Sequence, residues 1–516
     1  MKKVYLLFVS LILPLASCFA QQPTFSTVYF NTMDAVHVND LVRTSDNSYF
    51  SAGIYNMNGF LMNSDSGGNI ITSKQFEIGN STKFNSLTVA PDSNLAIVGV
   101  AGDGDALLMK LNKDGDTLWS RMLDFGNYSE AFSVCSVSDS GFAFCGYIYD
   151  PSNESKIFVA RADKNGSLLW SKTYAGGNSA NYAYSIKQSP DSGFMVAGYY
   201  SDYPPFASSA VLLKLDSNGD TMWTKGYLGL SSEVNCMTDV VCLQDGYVFC
   251  GQFSNQLGMA KVDTSGSIEW FRKYDLYLST SLNEIHSRLK MISNNRFMIA
   301  TVPEMFSYGQ LMVADSNGTQ LINHDIFMIM SSAIETADNG FMIAGNGPIY
   351  GVKSGNEFLI NNHFSLMKTD SAANSTDCNY DRGLLTTTTT LTSVSLSSTL
   401  SDLGSFVNVH PVVSNVVLDT SAGCVTFLGG SEEMGNNSFT IFPNPSSGEF
   451  TIRFDQPQNN AECFIDIYNP LGECIYKSSF VKQNDISINL NGFQSGLYFI
   501  SINTDCHRIT KIIEIQ

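Results

Sequence analysis

Apolar runs of four or five residues recur along the chain, each bounded by a cluster of Asp, Asn, Ser and Gly. Val211-Leu212-Leu213-Lys214-Leu215 and Phe194-Met195-Val196-Ala197 are typical. Runs of this length between turn residues predict buried β-strands, because an amphipathic helix needs a longer segment with apolar positions three and four apart. No such period occurs. Two turn motifs punctuate the strands. The first has the form Lys-Leu-Asp-x-x-Gly, with glycines at Gly68, Gly115, Gly166, Gly219, Gly266 and Gly318, spaced 47, 51, 53, 47 and 52 residues apart. All four tryptophans, Trp119, Trp170, Trp223 and Trp270, stand four residues after such a glycine. A degenerate seventh copy is Lys368-Thr369-Asp370-Ser371-Ala372-Ala373. The second motif, Asp-Ser-Gly-Phe-x-x-Ala-Gly, occupies 139–146, 191–198 and 338–345, with looser copies ending at Gly53, Gly99, Gly251 and Thr301. In both, Asp or Asn opens the turn by bonding its own backbone, and Gly takes the left-handed position that other residues resist. Two hairpin turns per repeat of roughly 50 residues give four strands, which is how a propeller blade is written in sequence.

Seven copies of each motif predict an all-β chain whose body, residues 21–377, is a seven-bladed β-propeller. The seventh repeat lacks its Trp-bearing strand, while Phe25-Ser26-Thr27-Val28-Tyr29-Phe30 is a strand without a repeat. The N-terminal strand is therefore expected to complete the last blade and remove the ring's open edge. The four tryptophans are expected to pack between blades. Asp-x-x-Gly-x-x-x-Trp resembles the docking motif of quinoprotein propellers, where the Trp has that inter-blade role and the quinone site uses other residues. The Asp-to-Gly spacing is one residue shorter here. It also resembles the Asp-box of sialidases, with different spacings on both sides of the glycine.

Beyond the repeats the texture changes. Residues 378–437 are rich in Ser and Thr, with alternation through Val413, and read as a polar β connector ending in a hinge at 431–437. Residues 438–516 read as a separate small β-sandwich of about seven strands, Ig-like in class. It opens with Phe442-Pro443-Asn444-Pro445-Ser446-Ser447-Gly448, continues through the turn Asn469-Pro470-Leu471-Gly472, and ends with Gly496-Leu497-Tyr498 and Lys511-Ile512-Ile513. This block resembles the type A C-terminal sorting domain of proteins exported by the type IX secretion system of Bacteroidetes. The resemblance rests on Pro443, Asn444, Pro445, Gly448, Gly472, Gly496, Tyr498 and Lys511. It implies passage through the inner membrane, folding in the periplasm and engagement of the type IX machinery. Translocation across the outer membrane and removal of the domain, with anchoring of the cargo at the surface, are implied as well. Cys463, Cys474 and Cys506 are not part of that pattern.

Charge and composition agree with an exported chain. Charged residues are only 15%, and 48 acidic against 29 basic side chains leave a net charge of −19. That field repels phosphate backbones and anionic headgroups, which excludes nucleic acid as a natural partner. Met1 to Ala20 has a Lys2-Lys3 start, an apolar run from Val4 to Leu15 and a small-residue exit, so residues 1–20 read as a signal peptide. Cleavage after Ala20 competes with lipoprotein processing at Cys18. No later stretch is long enough to be a transmembrane segment. Cys145 and Cys250 stand where sister repeats carry Ala197 and Ala344, and read as small buried hydrophobes. Cys378 and Cys424 bracket the connector and are the disulfide candidates.

Catalytic chemistry finds little support. The six histidines are scattered, without HExxH spacing, and there is no GxSxG elbow or Walker loop. Asp216-x-Asn218-x-Asp220 approaches calcium-loop spacing but has its Gly at position four and no Glu at twelve, so a hairpin turn explains it better than Ca²⁺. No cofactor is expected. Glu130, Glu154, Glu233 and Glu284 are expected in loops between blade strands, where a propeller can converge carboxylates on its axis as a two-carboxylate glycosidase requires. The loop holding Tyr199, Tyr200 and Tyr203 is the candidate for ligand binding, since exposed tyrosines stack on sugars or anchor protein partners at low entropic cost. The expectation is a non-catalytic, secreted module binding a glycan or protein. The alternatives are an extracellular polymer hydrolase and a structural adhesion component.

Overall fold

The computed structural model describes residues 24–515 apart from 31–34, 151, 153, 177–178, 203–206, 229–234, 279–286, 303–308, 327, 347–348, 354–355, 361–362, 376–378, 382–385, 389–391, 396–398, 403–404, 417–418, 423–438, 455–462, 469–473, 481–484, 491–495 and 504–507. The chain divides at residue 423 into two compact units. Both are all-β, and no α-helix occurs among the described residues.

The first unit is propeller-like and contains seven five-stranded antiparallel sheets. Sheets 1 to 6 take four consecutive strands each from residues 36–77, 82–124, 129–175, 180–228, 235–277 and 288–326. Sheet 7 takes Ile329–Glu335, Phe341–Asn346 and His363–Thr369, then the N-terminal strand Phe25–Phe30 in fourth place. The register of that pairing runs from Phe25 opposite Lys368 to Phe30 opposite His363. A hairpin, Ile349–Lys353 with Asn356–Ile360, is inserted between the second and third strands of sheet 7. First strands pack against first strands of the next sheet, from sheet 1 through sheet 7 and back to sheet 1. The first strand of every sheet is thus innermost and the fourth faces outward.

The fifth strands come from the Ser/Thr-rich segment. Asn379–Asp381 adds to sheet 6, Thr386–Thr388 to sheet 5, Thr392–Ser395 to sheet 4 and Thr399–Asp402 to sheet 3. Ser405–Asn408 then adds to sheet 2, Val412–Asn415 to sheet 1 and Asp419–Ala422 to the N-terminal strand in sheet 7. The segment is a belt laid against chain order over all seven outer edges.

The repeated residues have physical reasons. The turn glycines hold φ between +76° and +80°, and Ala373 takes the same left-handed conformation in the degenerate copy. In each turn the leading Asp, or Asn112 in the turn at Gly115, accepts two backbone N–H groups, as Asp163 Oδ1 does from Asn165 and Ser167, both at 2.8 Å. The glycine closing the second motif answers a β-bulge on the facing first strand. A Cβ at Gly53, Gly99, Gly146 or Gly198 would lie 1.8–1.9 Å from the carbonyl oxygen of His37, Lys83, Glu130 or Tyr182. Sheet 6 carries Thr301 there, and its first strand has no register shift.

Each tryptophan lies against the turn glycine of the following sheet. A Cβ at Gly166, Gly219, Gly266 or Gly318 would come within 3.0 Å of the ring of Trp119, Trp170, Trp223 or Trp270 respectively. Four residues on, Tyr174, Tyr227 and Tyr274 donate buried hydrogen bonds to the carbonyls of Gly219, Gly266 and Gly318 at 2.6–2.8 Å. The N-terminal strand repeats this arrangement toward sheet 1. Phe25 lies against Gly68, Tyr29 donates to the Gly68 carbonyl, and the Tyr29 ring stacks on Phe364 at 4.8 Å.

The second unit has a three-stranded sheet, Phe439–Phe442, Glu449–Phe454 and Asp485–Asn489, and a four-stranded sheet. The latter orders Cys474–Phe480, Cys463–Tyr468, Gly496–Asn503 and Arg508–Ile515. Phe450, Ile452, Ile488 and Leu490 from one sheet share a core with Ile465, Ile467, Tyr498, Ile500, Ile513 and Ile515 from the other. Two layers over one apolar core is a β-sandwich.

Candidate functional site

Antiparallel pairing puts the start of each first strand beside the end of each second strand in the same sheet. On sheets 3 and 4 that place is occupied by aromatics. Glu130 pairs with Tyr147, and Tyr182 with Tyr199. Phe132 and Tyr184 are the bulged residues of their strands, and their rings lie 5.4 Å from Tyr147 and 6.4 Å from Tyr182 respectively. The result is a continuous wall. Tyr147 lies 4.3 Å from Tyr182, which stacks on Tyr199 at 5.4 Å and 9°, and Phe132 stacks on Tyr184 at 5.4 Å. Tyr128 and Tyr149 extend it, and the Tyr149 and Tyr182 hydroxyls meet at 3.2 Å. Tyr147 and Tyr199 are buried, Tyr128 is exposed, and Phe132, Tyr149, Tyr182 and Tyr184 are partly buried.

Beside the wall, the Glu130 carboxylate is buried and engaged on every side. It accepts from Lys83 at 3.1 Å, Asn85 at 2.8 Å, Tyr128 at 3.1 Å and Tyr147 at 3.5 Å. Burial and the Glu130 charge push the Tyr128 phenol up to about 12. Burial, followed by Glu130 and the neighbouring phenols, raises Tyr147 further. These hydroxyls stay protonated at any physiological pH and can only give and accept hydrogen bonds.

Deeper along the first strands, Asp40 and Asp239 link neighbouring sheets. Asp40 of sheet 1 accepts from Ser86 and the Leu87 N–H of sheet 2, from Ser332 of sheet 7 and from the Leu41 N–H, at 2.9–3.1 Å. Asp239 of sheet 5 accepts from Ser185 of sheet 4 at 2.5 Å, and from the N–H groups of Val240 and Leu289 at 2.9 Å. Lys187 stands 3.6 Å from Asp239. Lys290 reaches from sheet 6 to the Leu41 carbonyl of sheet 1 at 3.3 Å. Burial alone would raise the Asp40 carboxyl, but Lys290, Arg288 and the backbone N–H groups outweigh it and hold it below the ordinary value. A carboxylate with its lone pairs filled and its acidity increased suits a tie between sheets and is poorly placed for proton transfer.

The residues singled out from sequence fall as follows. Tyr199 belongs to the wall but is 3% exposed; Tyr200, 4% exposed, packs into the core between sheets 3 and 4, and Tyr203 lies outside the described residues. Glu154 lies just before the third strand of sheet 3, and its backbone N–H donates to Asp150. Glu233 and Glu284 lie outside the described residues, as do Cys378 and Cys424. Cys145 and Cys250 are fully buried with free thiols, raised by burial, so neither is a nucleophile. The Asp216 carboxylate is spent on the Asn218 and Asp220 N–H groups, and Asp220 pairs with Lys172 at 2.7 Å. No group of three His, Cys, Asp or Glu suited to a metal ion occurs among the described residues. No described helix is long and apolar enough to cross a membrane. A cleft of about 490 Å³ on the outer rim, lined by Trp119, Arg121, His410 and Val413, lies where the belt crosses sheet 2.

In the second unit the motif residues gather around the chain's end. Pro443, Asn444 and Pro445 lead into Ser446, which is 2% exposed and bridges to Ile515. The Ser446 hydroxyl donates to the Glu449 carbonyl at 2.7 Å and accepts the Gly448 N–H at 3.1 Å. Gly448 has φ +110°, and its carbonyl receives the Leu490 N–H at 2.7 Å. Gly496 pairs with Ile515, Tyr498 with Ile513 in the core, and Lys511 with Ile500 in backbone register. Gly472 lies outside the described residues. Sequence reasoning missed Ser446 and the Arg453–Asp485 ion pair, with contacts at 2.8 and 3.0 Å. A serine directly after Pro-Asn-Pro was the available signal for the former.

Comparison with known proteins bears on the two units unequally. No curated protein matches the chain. The Streptogramin B lyase structure is 12% identical, covers 67% of this chain and 97% of its own, and has a TM-score of 0.43. A putative 6-phosphogluconolactonase from Bacteroides uniformis is 10% identical, covers 71% and 100%, and scores 0.37. A protein of unknown function from Bacteroides caccae is 11% identical, covers 48% and 93%, and scores 0.30. Likenesses at that level carry no functional weight. Residues 440–516, by contrast, match the family described as "Secretion system C-terminal sorting domain". The chain therefore ends in a type IX secretion sorting domain and is exported across the outer membrane, to the cell surface or the extracellular space.

Proposed function

We propose that the first unit is a closed seven-bladed propeller that acts outside the cell as a non-catalytic binding module, presenting its aromatic wall to a glycan or protein ligand. The sandwich, Ig-like in class, is its export and anchoring signal. The cycle of first-strand contacts and the place of Phe25–Phe30 in sheet 7 support the ring. The observation that carries the binding reading is the wall itself. Four partly buried rings, Phe132, Tyr149, Tyr182 and Tyr184, are held in fixed orientation over buried Tyr147 and Tyr199. Rigid aromatic faces with hydroxyls at their edges offer stacking area and hydrogen bonds with little entropy left to lose. The hydrolase reading needs a free carboxylate pair, and Glu130, Asp40 and Asp239 each have their acceptor sites taken. The test is a panel of extracellular polysaccharides and matrix proteins against the exported chain, with binding and released products measured in the same wells. Saturable binding without products is expected; product release would overturn the reading.

A further inference from the structure

The belt differs from the sheets it covers in ways that set its place in the folding order. It visits sheets 6, 5, 4, 3, 2, 1 and 7 in turn, so each acceptor edge is built from residues that precede it in the chain. Its seven strands are only three or four residues long. Where its side chains are described it buries little: Val407, Val412, Val413, Ser414 and Asn415 are exposed, and only Phe406, stacked on Phe144 at 6.3 Å, Val409 and Val416 pack against the sheets among the described residues. It is held mainly through backbone pairing and a repeated hydroxyl. Ser120 and Ser73, each five residues after a turn glycine, donate to the carbonyls of Val409 and Val416 and accept those residues' N–H groups at 3.3 and 3.0 Å through their own carbonyls. Ser171 and Thr224 hold the same sequence position on sheets 3 and 4. The final belt strand pairs Thr420 with Tyr29 and Ala422 with Thr27, which turns the N-terminal strand from an edge strand into an interior one. Beyond the belt, Gly423 begins the segment leading to the sorting domain.

We infer that the outer edges of the ring are strand-accepting surfaces whose partner is this chain's own polar segment 379–422, acting as a latch. It docks only after the seven sheets exist, clamps the N-terminal strand in sheet 7, and opens together with that strand as one cooperative unit below the stability of the inner strands. Short, weakly buried pairings supply low local stability, and the shared strand at the seam supplies the coupling. An undocked belt leaves seven free edges, the configuration that recruits strands from other molecules.

The experiment is native-state hydrogen exchange on the whole chain in rising denaturant, read by mass spectrometry of peptides. Peptides from 405–416, 419–422 and 25–30 should lose protection at one shared midpoint, before peptides from Leu95–Ala101 and Phe142–Tyr149. Persistence of 25–30 with the inner strands while the belt opens would overturn the latch, as would a single global transition for all peptides. Val409→Pro and Val416→Pro each delete one N–H bond to the ring. Each should speed exchange at 25–30 at least tenfold alongside the belt, whereas faster exchange confined to belt peptides would contradict the coupling. The wild-type result stands by itself if a variant does not fold.

Discussion

Truncating Tyr29 tests whether the ring depends on its seam. The side chain is fully buried, stacked on Phe364 at 4.8 Å, and its hydroxyl bonds the Gly68 carbonyl of sheet 1. Removing a buried aromatic ring costs about 3–5 kcal/mol, and the orphaned Gly68 carbonyl adds about 1 kcal/mol. The first unit's 24–422 span holds 399 residues, and an unfolding entropy of about 2.1 cal/mol/K per residue gives roughly 0.8 kcal/mol per degree. Tyr29→Ala should therefore lower the melting temperature by about 5–7 °C. Tyr227→Ala is the matched control, because Tyr227 makes the same bond to Gly266 inside the ring. Calorimetry of the two variants should show comparable losses if the N-terminal strand is an integral fourth strand. A Tyr29→Ala melt within a degree of wild type would refute the reasoning, since the strand would then be decoration.

Other outcomes follow from the same structure. Gly198→Ala drives a Cβ to 1.9 Å from the Tyr182 carbonyl and should cost about 1–3 kcal/mol, read by thermal melting, while Thr301→Gly on unbulged sheet 6 should not recover that loss. Asp40→Asn should cost about 3 kcal/mol at neutral pH, because it leaves the inner network unpaired. The Asp40 carboxyl is held below its ordinary value of about 3.9, so its contribution is complete above that value and is lost as pH falls through the depressed one. The gap between wild type and Asp40→Asn, measured by denaturant titration at several pH values, should close only on the acid side. Deleting residues 440–516 should leave folded first unit in the periplasm on fractionation; undiminished surface material would contradict its role as the export signal.

Much of the architecture is legible because it is written in turns. Gly166 and Gly219 are needed at φ +80°, and the indoles that pack on them are spaced by the same repeat. The seam is legible for the same reason: Phe25-x-x-x-Tyr29 repeats the spacing of Trp170-x-x-x-Tyr174. The belt's partners are hidden, because three-residue polar strands such as Thr386–Thr388 have no burial pattern to fix their register. The aromatic wall is hidden by the bulges. At Phe132 and Tyr184 the alternation of inside and outside slips, and rings from two repeats meet only after folding. Tyr199 and Tyr200 stand in a tyrosine-rich loop in sequence, but they belong to a second strand covered on both faces.

The central claim is that the exported chain binds through its aromatic wall. Its most direct test compares wild type with a Phe132→Ser, Tyr149→Ser, Tyr182→Ser variant on each ligand the panel retains, with circular dichroism confirming the fold. The account predicts at least a tenfold weaker affinity, by losing about 1.4 kcal/mol or more, with no product released by either protein. Equal affinity of the two proteins would contradict it and move the binding surface elsewhere on the ring.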